Sequence, residues 1–133
     1  MVKRVLLVED DSDDSELFMD FFSQRKDIHL LPPAGNGVEM VTYLQSIDHD
    51  HDLPHLIVLD QNMPRMNGKQ ALTFLKSNPR YAEIPTVIYS TYADTTLIED
   101  CKNLGAEMVS SKPIDYEGYQ QMMDNFLQIF NPA

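Results

Sequence analysis

Four short runs of β-branched and aliphatic residues in this chain are each followed by polar side chains. The runs are residues 5–8 before Glu9-Asp10-Asp11, residues 56–59 before Asp60, residues 86–89 before Ser90, and residues 107–111 before Lys112-Pro113. Continuous apolar runs of this length are typical of strands that are buried on both faces of a parallel sheet. In open α/β sheets, ligands bind outside the carboxyl ends of the strands. We therefore expect these polar side chains to meet at one edge of a single sheet.

Helix-like segments alternate with the strand-like runs along the whole chain, which predicts βα repeats. Five segments carry apolar residues at helical spacing: Leu17, Phe18, Phe21 and Phe22; Val38, Val41 and Leu44; Ala71, Leu72 and Leu75; Leu97, Cys101 and Leu104; and Tyr119, Met122, Met123, Phe126, Leu127 and Phe130. A further strand is expected at residues 27–31, before Pro32-Pro33. The last apolar stripe is wide enough to be either entirely core or partly a partner surface.

Composition narrows the class of protein. The chain has 133 residues, of which 43% are hydrophobic, and this predicts one globular domain. A formal net charge of −11 argues against nucleic acid and anionic membranes as partners. The single cysteine, Cys101, cannot form an internal disulfide and is expected in the core. No apolar stretch approaches the ~18 residues of a spanning helix, so we expect a cytoplasmic protein.

The polar residues at the strand ends have the chemistry of a small phosphoryl-transfer site. Glu9, Asp10 and Asp60 would bring three carboxylates together if the strands follow the flavodoxin-like order 2-1-3-4-5. Clustered carboxylates require a proton or a cation among them, and hard oxygen ligands suit Mg²⁺. Lys112 would supply a positive charge and Ser90 a hydroxyl donor for phosphoryl oxygens. Catalysis at such a site consists mostly of positioning and charge neutralisation.

These residues resemble a known family. The matching pieces are Leu7-Val8-Glu9-Asp10-Asp11, Leu59-Asp60-Gln61-Asn62-Met63-Pro64 with Asn67-Gly68, Ser90-Thr91, and Lys112-Pro113. In this order and spacing they resemble the receiver domain of two-component response regulators over nearly all of residues 3–130. The resemblance implies a flavodoxin-like (βα)5 doubly wound sandwich with a parallel five-stranded sheet of order 2-1-3-4-5. It also implies that residues 1–133 form a single receiver domain with no output domain.

The resemblance assigns a role to each acidic position. Asp60 would be the phosphoacceptor, taking a phosphoryl group from a phosphohistidine on a sensor histidine kinase or a phosphotransfer protein. Asp10 would bind Mg²⁺ directly and Glu9 through a water molecule. Asn62 would add its backbone carbonyl to the metal site, which Asp60 completes.

The remaining matches lie around the phosphoryl group. Ser90 and Lys112 would hold its oxygens, and Thr91 would lie close to the pocket. The family carries a cis peptide bond after this lysine, so Lys112-Pro113 is a candidate cis peptide. One position departs from the family: Val109 stands where a switch tyrosine or phenylalanine is usual, and a valine cannot make the inward–outward swing of an aromatic ring.

The function implied is a phosphorylation-dependent signalling switch that catalyses only its own phosphotransfer and autodephosphorylation. Its output would be changed binding to an unknown downstream protein, or a phosphorylation-linked homodimer. The alternative is a pseudo-receiver that binds partners without phosphorylation, which Val109 favours and the complete acidic set opposes. A phosphatase of the haloacid dehalogenase type would need a second acid two residues after Asp60, where this chain has Asn62.

Two other polar clusters have simpler interpretations. The segment from Asp10 to Asp14 resembles the start of a calcium loop, but Ser15 stands where the EF-hand turn needs glycine. We expect Asp11 and the acids after it to cap the first helix and stabilise its first turn. His49 and His51 could bind a transition metal, although a solvated loop is the preferred interpretation.

Overall fold

The structure is a computed structural model in which residues 2–131 are described. Strands and helices alternate along the chain. The strands are β1 (Lys3–Val8), β2 (Ile28–Leu30), β3 (Leu56–Asp60), β4 (Thr86–Ser90) and β5 (Met108–Ser111). The helices are α1 (Ser12–Phe22), α2 (Gly37–Gln45), α3 (Gly68–Ser77), α4 (Thr95–Asn103) and α5 (Tyr116–Phe130), with a short 3₁₀ turn at Asp50–Asp52. The predicted βα repeats are confirmed.

The five strands form one parallel sheet in the order β2-β1-β3-β4-β5. This confirms the predicted flavodoxin-like (βα)5 fold with order 2-1-3-4-5. The register pairs Val8 with Leu59 between β1 and β3, and Asp60 with Tyr89 between β3 and β4. The strand ends therefore lie side by side, and the residues after β1, β3, β4 and β5 meet at one edge.

Two hydrophobic layers cover the sheet, because successive side chains in a strand point to opposite faces. One layer contains Phe18, Phe22, Met122, Met123 and Phe126, which come from α1 and α5. The other layer is formed by α2, α3 and α4; its fully buried side chains include Met40, Leu44, Ala71, Leu72, Leu75 and Cys101. The buried part of the α5 stripe and Cys101 are core, as predicted. None of the helices formed by residues 2–131 is long and apolar enough to cross a bilayer.

Side-chain caps explain where the helices begin. Asp11 caps α1 by accepting hydrogen bonds from the backbone N–H groups of Asp13 and Asp14, at 2.9 and 3.0 Å. This confirms the predicted capping role. Asn36 caps α2 by accepting a hydrogen bond from the Glu39 backbone N–H, and the helix begins at Gly37. A cap satisfies backbone donors that would otherwise be left unpaired at the helix start.

The turn between β3 and α3 brings the start of a helix against the end of the central strand. Arg65 adopts a left-handed conformation with φ of 69° within this turn. Asn67 and Gln70 then form a reciprocal capping box at the start of α3. Gly68, the first residue of the helix, lies so close to Asp60 that a Cβ atom there would be 2.7 Å from the Asp60 carbonyl oxygen.

Candidate functional site

Three predicted acidic residues lie together at the carboxyl ends of β1 and β3. Glu9, Asp10 and Asp60 each place one carboxylate oxygen within 4.8 Å of the others. Glu9 and Asp60 are buried, whereas Asp10 is exposed. The parallel pairing of β1 with β3 is what brings the end of one strand beside the end of the other.

Lys112 reaches this cluster from the end of β5. Its Nζ atom lies 3.0 Å from Glu9 Oε1 and 3.3 Å from Asp60 Oδ1. A third contact, at 2.9 Å, joins it to Asp14 Oδ2 in the first turn of α1. Burial by itself would lower the pKa of Lys112, but the Asp14 and Glu9 carboxylates raise it above its ordinary value. The lysine is therefore a fixed positive charge shared by three carboxylates.

Ser90 and Asn62 are hydrogen-bonded to each other next to Asp60. The Ser90 hydroxyl is 3.0 Å from Asn62 Oδ1, and the Thr91 N–H donates to the same oxygen at 3.4 Å. The Asn62 backbone N–H donates to Asp60 Oδ1 at 3.0 Å. An open cleft of about 480 Å³ runs over these groups, lined by Asp10, Asp11, Ser12, Asp13, Asp14, Asp60, Asn62, Thr91 and Lys112. The edge thus brings together the residues singled out in the sequence.

One oxygen of the central carboxylate, Asp60, has no hydrogen-bond partner within residues 2–131. Asp60 Oδ2 is buried and accepts no hydrogen bond from the part of the chain that the structure describes. Leaving a buried carboxylate oxygen unpaired costs free energy, so contact of this atom with a cation or a ligand is favoured. The ligating atoms around it are all carboxylate oxygens. Hard oxygen ligands on an open cleft fit Mg²⁺.

The crowding of carboxylates is visible in their pKa values. Burial and the neighbouring Asp60 raise the pKa of Glu9 from 4.5 to about 8, although Lys112 acts in the opposite direction. Burial and Asp60 also raise the pKa of Asp10. These raised pKa values mean that, without a metal ion, the carboxyl groups bind a proton more readily than isolated carboxyl groups do, so a proton competes with any cation for the site.

Two residues of the site were not identified from the sequence as members of it. Tyr89, the last apolar residue before Ser90, donates a hydrogen bond from its hydroxyl to Glu9 Oε2 at 3.1 Å. Burial, and then the Glu9 charge, raise the pKa of this phenol well above its ordinary value. Asp14 was assigned only to the first turn of α1, but it also pairs with Lys112. The sequence does contain a signal for Tyr89: a tyrosine within an apolar strand pattern has a hydroxyl that needs a hydrogen-bond partner when it is buried.

The prediction of a cis peptide at Lys112-Pro113 is wrong. Within residues 2–131 no peptide bond is cis, so this bond is trans. Trans is the lower-energy isomer before proline by about 0.5–1 kcal/mol. Lys112 makes its three acidic contacts with the trans bond in place.

Val109 and the histidine pair lie away from the acidic cluster. Val109 is half-buried on β5 and packs against the α2–α4 layer. His49 and His51 are exposed in the loop before β3, with their rings stacked 5.3 Å apart. His51 also lies 3.7 Å from the carboxylate of Asp52. This arrangement favours the solvated-loop interpretation.

Comparison with known proteins identifies the family. The sequence-family model of the response regulator receiver domain matches residues 5–124 of this chain. The chain belongs to this family. Receiver domains work in two-component signalling as switches rather than as conventional enzymes. Their acidic pocket binds Mg²⁺, and the Glu9, Asp10 and Asp60 cluster fits such a pocket.

Individual relatives support the assignment. The receiver domain is 33% identical over 91 residues to response regulator Rcp1 of a Synechocystis species, a match that covers 67% of this chain and 62% of Rcp1. It is 28% identical over 114 residues to a probable chemotaxis protein CheY of Rhizobium etli, covering 86% of this chain and 84% of that protein.

Solved structures of relatives share the fold. The Mn²⁺-bound form of Rcp1 superposes with a TM-score of 0.80 at 25% identity, covering 98% of this chain and 96% of Rcp1. The phosphorylated cyanobacterial phytochrome response regulator RcpA superposes with a TM-score of 0.85 at 25% identity, covering 100% of this chain and 97% of RcpA. Structures of this kind therefore exist with a divalent ion and in a phosphorylated state.

Proposed function

We propose that this receiver domain is a phosphorylation-dependent switch whose phosphoacceptor is Asp60. The observation that carries the proposal is the environment of the Asp60 carboxylate. One of its oxygens is buried with no hydrogen-bond partner among residues 2–131, Glu9 and Asp10 lie beside it, and Lys112 Nζ is 3.3 Å from its other oxygen. A carboxylate in this position can act as a nucleophile because the surrounding positive charge offsets the charge that accumulates on the transferred group.

The phosphoryl donor is a phosphohistidine on a sensor histidine kinase or a phosphotransfer protein. An Asp60 carboxylate oxygen attacks phosphorus, and the electron pair of the breaking P–N bond leaves with the imidazole of the donor. Bound Mg²⁺ would neutralise negative charge on the phosphoryl oxygens. Asp10 would hold this ion directly, Glu9 through water, and Asn62 through its backbone carbonyl, with Asp60 completing the site.

The other residues of the cleft receive the transferred group. Lys112 would exchange part of its carboxylate contacts for a phosphoryl oxygen. Ser90 would turn its hydroxyl from Asn62 Oδ1, now 3.0 Å away, towards another of these oxygens. Thr91, which follows Ser90 at the cleft, would contribute its backbone N–H, which at present points to Asn62.

The output is a change in protein–protein binding in the cytoplasm. Movement of Ser90 and Lys112 displaces the loops after β4 and β5, and so repopulates conformers of the α4, β5 and α5 surface. We infer that this surface contacts a downstream protein or a second copy of the chain. Because Val109 cannot make an aromatic swing, the change is carried by the loops themselves.

Phosphorylation by a small donor tests the proposal. The intact mass of the protein is measured after incubation with acetyl phosphate and Mg²⁺, with Asp60→Asn as the matched variant, since it removes the nucleophilic oxygen and keeps the size of the side chain. We expect one phosphoryl adduct in the wild type, none in Asp60→Asn, and none in EDTA. If the wild type binds Mg²⁺ but forms no adduct, the proposal is wrong and a phosphorylation-independent pseudo-receiver replaces it.

A further inference from the structure

Tyr89 connects two strands that flank the strand of Asp60. It is the residue before Ser90 on β4, and its side chain is 1% exposed in the α1/α5 layer. The hydroxyl reaches past β3 to Glu9, which follows β1, and donates a 3.1 Å hydrogen bond to Oε2. A buried tyrosine hydroxyl needs such a partner, and a bond to a carboxylate is stronger than one between neutral groups.

This bond completes the support of the Glu9 carboxylate. Its other oxygen, Oε1, accepts from Lys112 Nζ at 3.0 Å and from the Asp11 backbone N–H at 3.3 Å. Both oxygens are therefore held, each from a different direction. Glu9 is 3% exposed, so bulk solvent offers its carboxylate few alternative partners. The orientation of the carboxylate towards Asp10 and Asp60 follows from these three contacts.

The ring of Tyr89 contacts a second member of the site. Lys112 Nζ lies 5.2 Å from the ring centroid, within the range of a cation–π interaction. The ring is itself held edge-on against Phe18, with the centroids 6.4 Å apart and an interplanar angle of 69°. The Tyr89 side chain thus contacts both Glu9 and Lys112, the acid and the lysine that lie beside Asp60.

We propose that Tyr89 is a positioning residue of the metal pocket. Its hydroxyl orients Glu9, and its ring supports the ammonium group of Lys112. Among residues 2–131 the hydroxyl of Tyr89 is hydrogen-bonded to Glu9 and not to Asp10 or Asp60, so Tyr89 acts through Glu9 and Lys112. Partners that orient the groups around a metal typically change metal affinity by about 10–100-fold when they are removed.

Magnesium titration tests the role of the hydroxyl. Backbone amide chemical shifts of the metal-free protein are followed during addition of MgCl₂ at one fixed pH, for the wild type, Tyr89→Phe and Tyr81→Phe. Tyr89→Phe removes one oxygen atom and keeps the ring, and we expect it to weaken Mg²⁺ binding by about tenfold. Tyr81→Phe is the matched control, because Tyr81 is also buried, at 3% exposure, but lies in the α2–α4 layer. Its Mg²⁺ affinity should equal that of the wild type.

A double-mutant cycle separates positioning from a general structural effect. In the Glu9→Ala background, Tyr89→Phe should no longer change Mg²⁺ affinity, because the carboxylate that the hydroxyl orients is absent. Equal losses in both backgrounds would overturn the inference, as would a Tyr89→Phe protein that is less heat-stable in EDTA but binds Mg²⁺ as tightly as the wild type.

The inference rests on Mg²⁺ binding at the proposed switch site, and the experiment distinguishes the two. A wild type that shows no shifts with Mg²⁺ would overturn both the metal site and the role of Tyr89. A wild type that binds Mg²⁺, and is phosphorylated in its presence, while Tyr89→Phe binds equally well, would overturn the role of Tyr89 alone. If Tyr89→Phe does not fold, Tyr89→Leu in the same titration replaces it, and unchanged affinity there has the same meaning.

Discussion

The close approach of α3 to the end of β3 predicts that Gly68→Ala destabilises the protein. A Cβ atom at position 68 would lie 2.7 Å from the carbonyl oxygen of Asp60 and 2.9 Å from the Cα atom of Gln61. Both neighbours belong to the backbone and cannot rotate away. Comfortable carbon contacts are about 3.5–4.0 Å, so helix and strand must separate by a large fraction of an ångström.

Two opposing effects determine the size of the loss. Forcing an extra methyl group into a packed site costs about 1–3 kcal/mol. Alanine regains up to about 1 kcal/mol, because it favours the helix and restricts the unfolded chain more than glycine does. We therefore expect Gly68→Ala to lower the free energy of unfolding by about 1–2 kcal/mol. Because the displaced carbonyl belongs to Asp60, the affinity for Mg²⁺ should fall as well.

Urea unfolding in EDTA, followed by circular dichroism, measures the effect without a contribution from bound metal. Gly35→Ala is the matched control, because its new Cβ atom would be 2.9 Å from Glu39 Oε2, which is the far end of an exposed side chain and can turn away, whereas a backbone atom cannot. The free energy of unfolding of Gly35→Ala should stay within about 0.5 kcal/mol of the wild-type value, and the slope of this free energy against urea concentration should be unchanged. If Gly68→Ala is as stable as Gly35→Ala, the backbone contact does not constrain this turn, and the reasoning is refuted.

Two further predictions concern the pH dependence of the metal-free protein and the lifetime of the phosphorylated state. The pKa of Glu9 is raised from 4.5 to about 8, so the folded metal-free protein keeps a proton that the unfolded chain has lost. The stabilisation from this bound proton is fully present below pH 4.5 and is lost as pH rises through about 8. The urea midpoint of the wild type should therefore fall between these pH values, and that of Glu9→Gln should fall less. The Tyr92 side chain is 75% exposed and follows the Ser90-Thr91 pair at the cleft, where we expect its bulk to screen the acyl phosphate from water. Tyr92→Ala should therefore lose phosphate faster than the wild type by intact mass, and an unchanged rate would contradict this screening.

The sheet and the acidic edge were predictable because several independent signals agree. Residues 56–59 form an apolar run in a chain of alternating strand and helix patterns, which indicates a buried parallel strand ending at Asp60. The rule that parallel strands present their carboxyl ends at one edge then brings Asp60 towards Glu9 and Lys112. None of these steps requires knowledge of a side-chain conformation.

The contacts that were not predicted depend on side-chain geometry. Tyr89 counts as one more apolar residue in the pattern of β4, and the pattern does not indicate that its hydroxyl reaches Glu9 on another strand. Asp14 has the composition of a first-turn acid, and its bond to Lys112 depends on how the loop after β5 folds. The peptide bond between Lys112 and Pro113 is trans, whereas the resemblance to the family implied a cis bond. The two isomers of a bond before proline differ by only about 0.5–1 kcal/mol, so the sequence alone does not predict which one forms.

The alternation of side chains along β4 limits how the length of this strand can change. Tyr89 faces the α1/α5 layer, whereas its neighbour Ile88 faces α2, α3 and α4. One inserted or deleted residue between Thr86 and Tyr89 would reverse this assignment and bring another side chain to the place beside Glu9. Tolerated insertions and deletions should therefore fall outside the strands, and a library of length variants of this protein would keep the residue count of β4 while other segments vary.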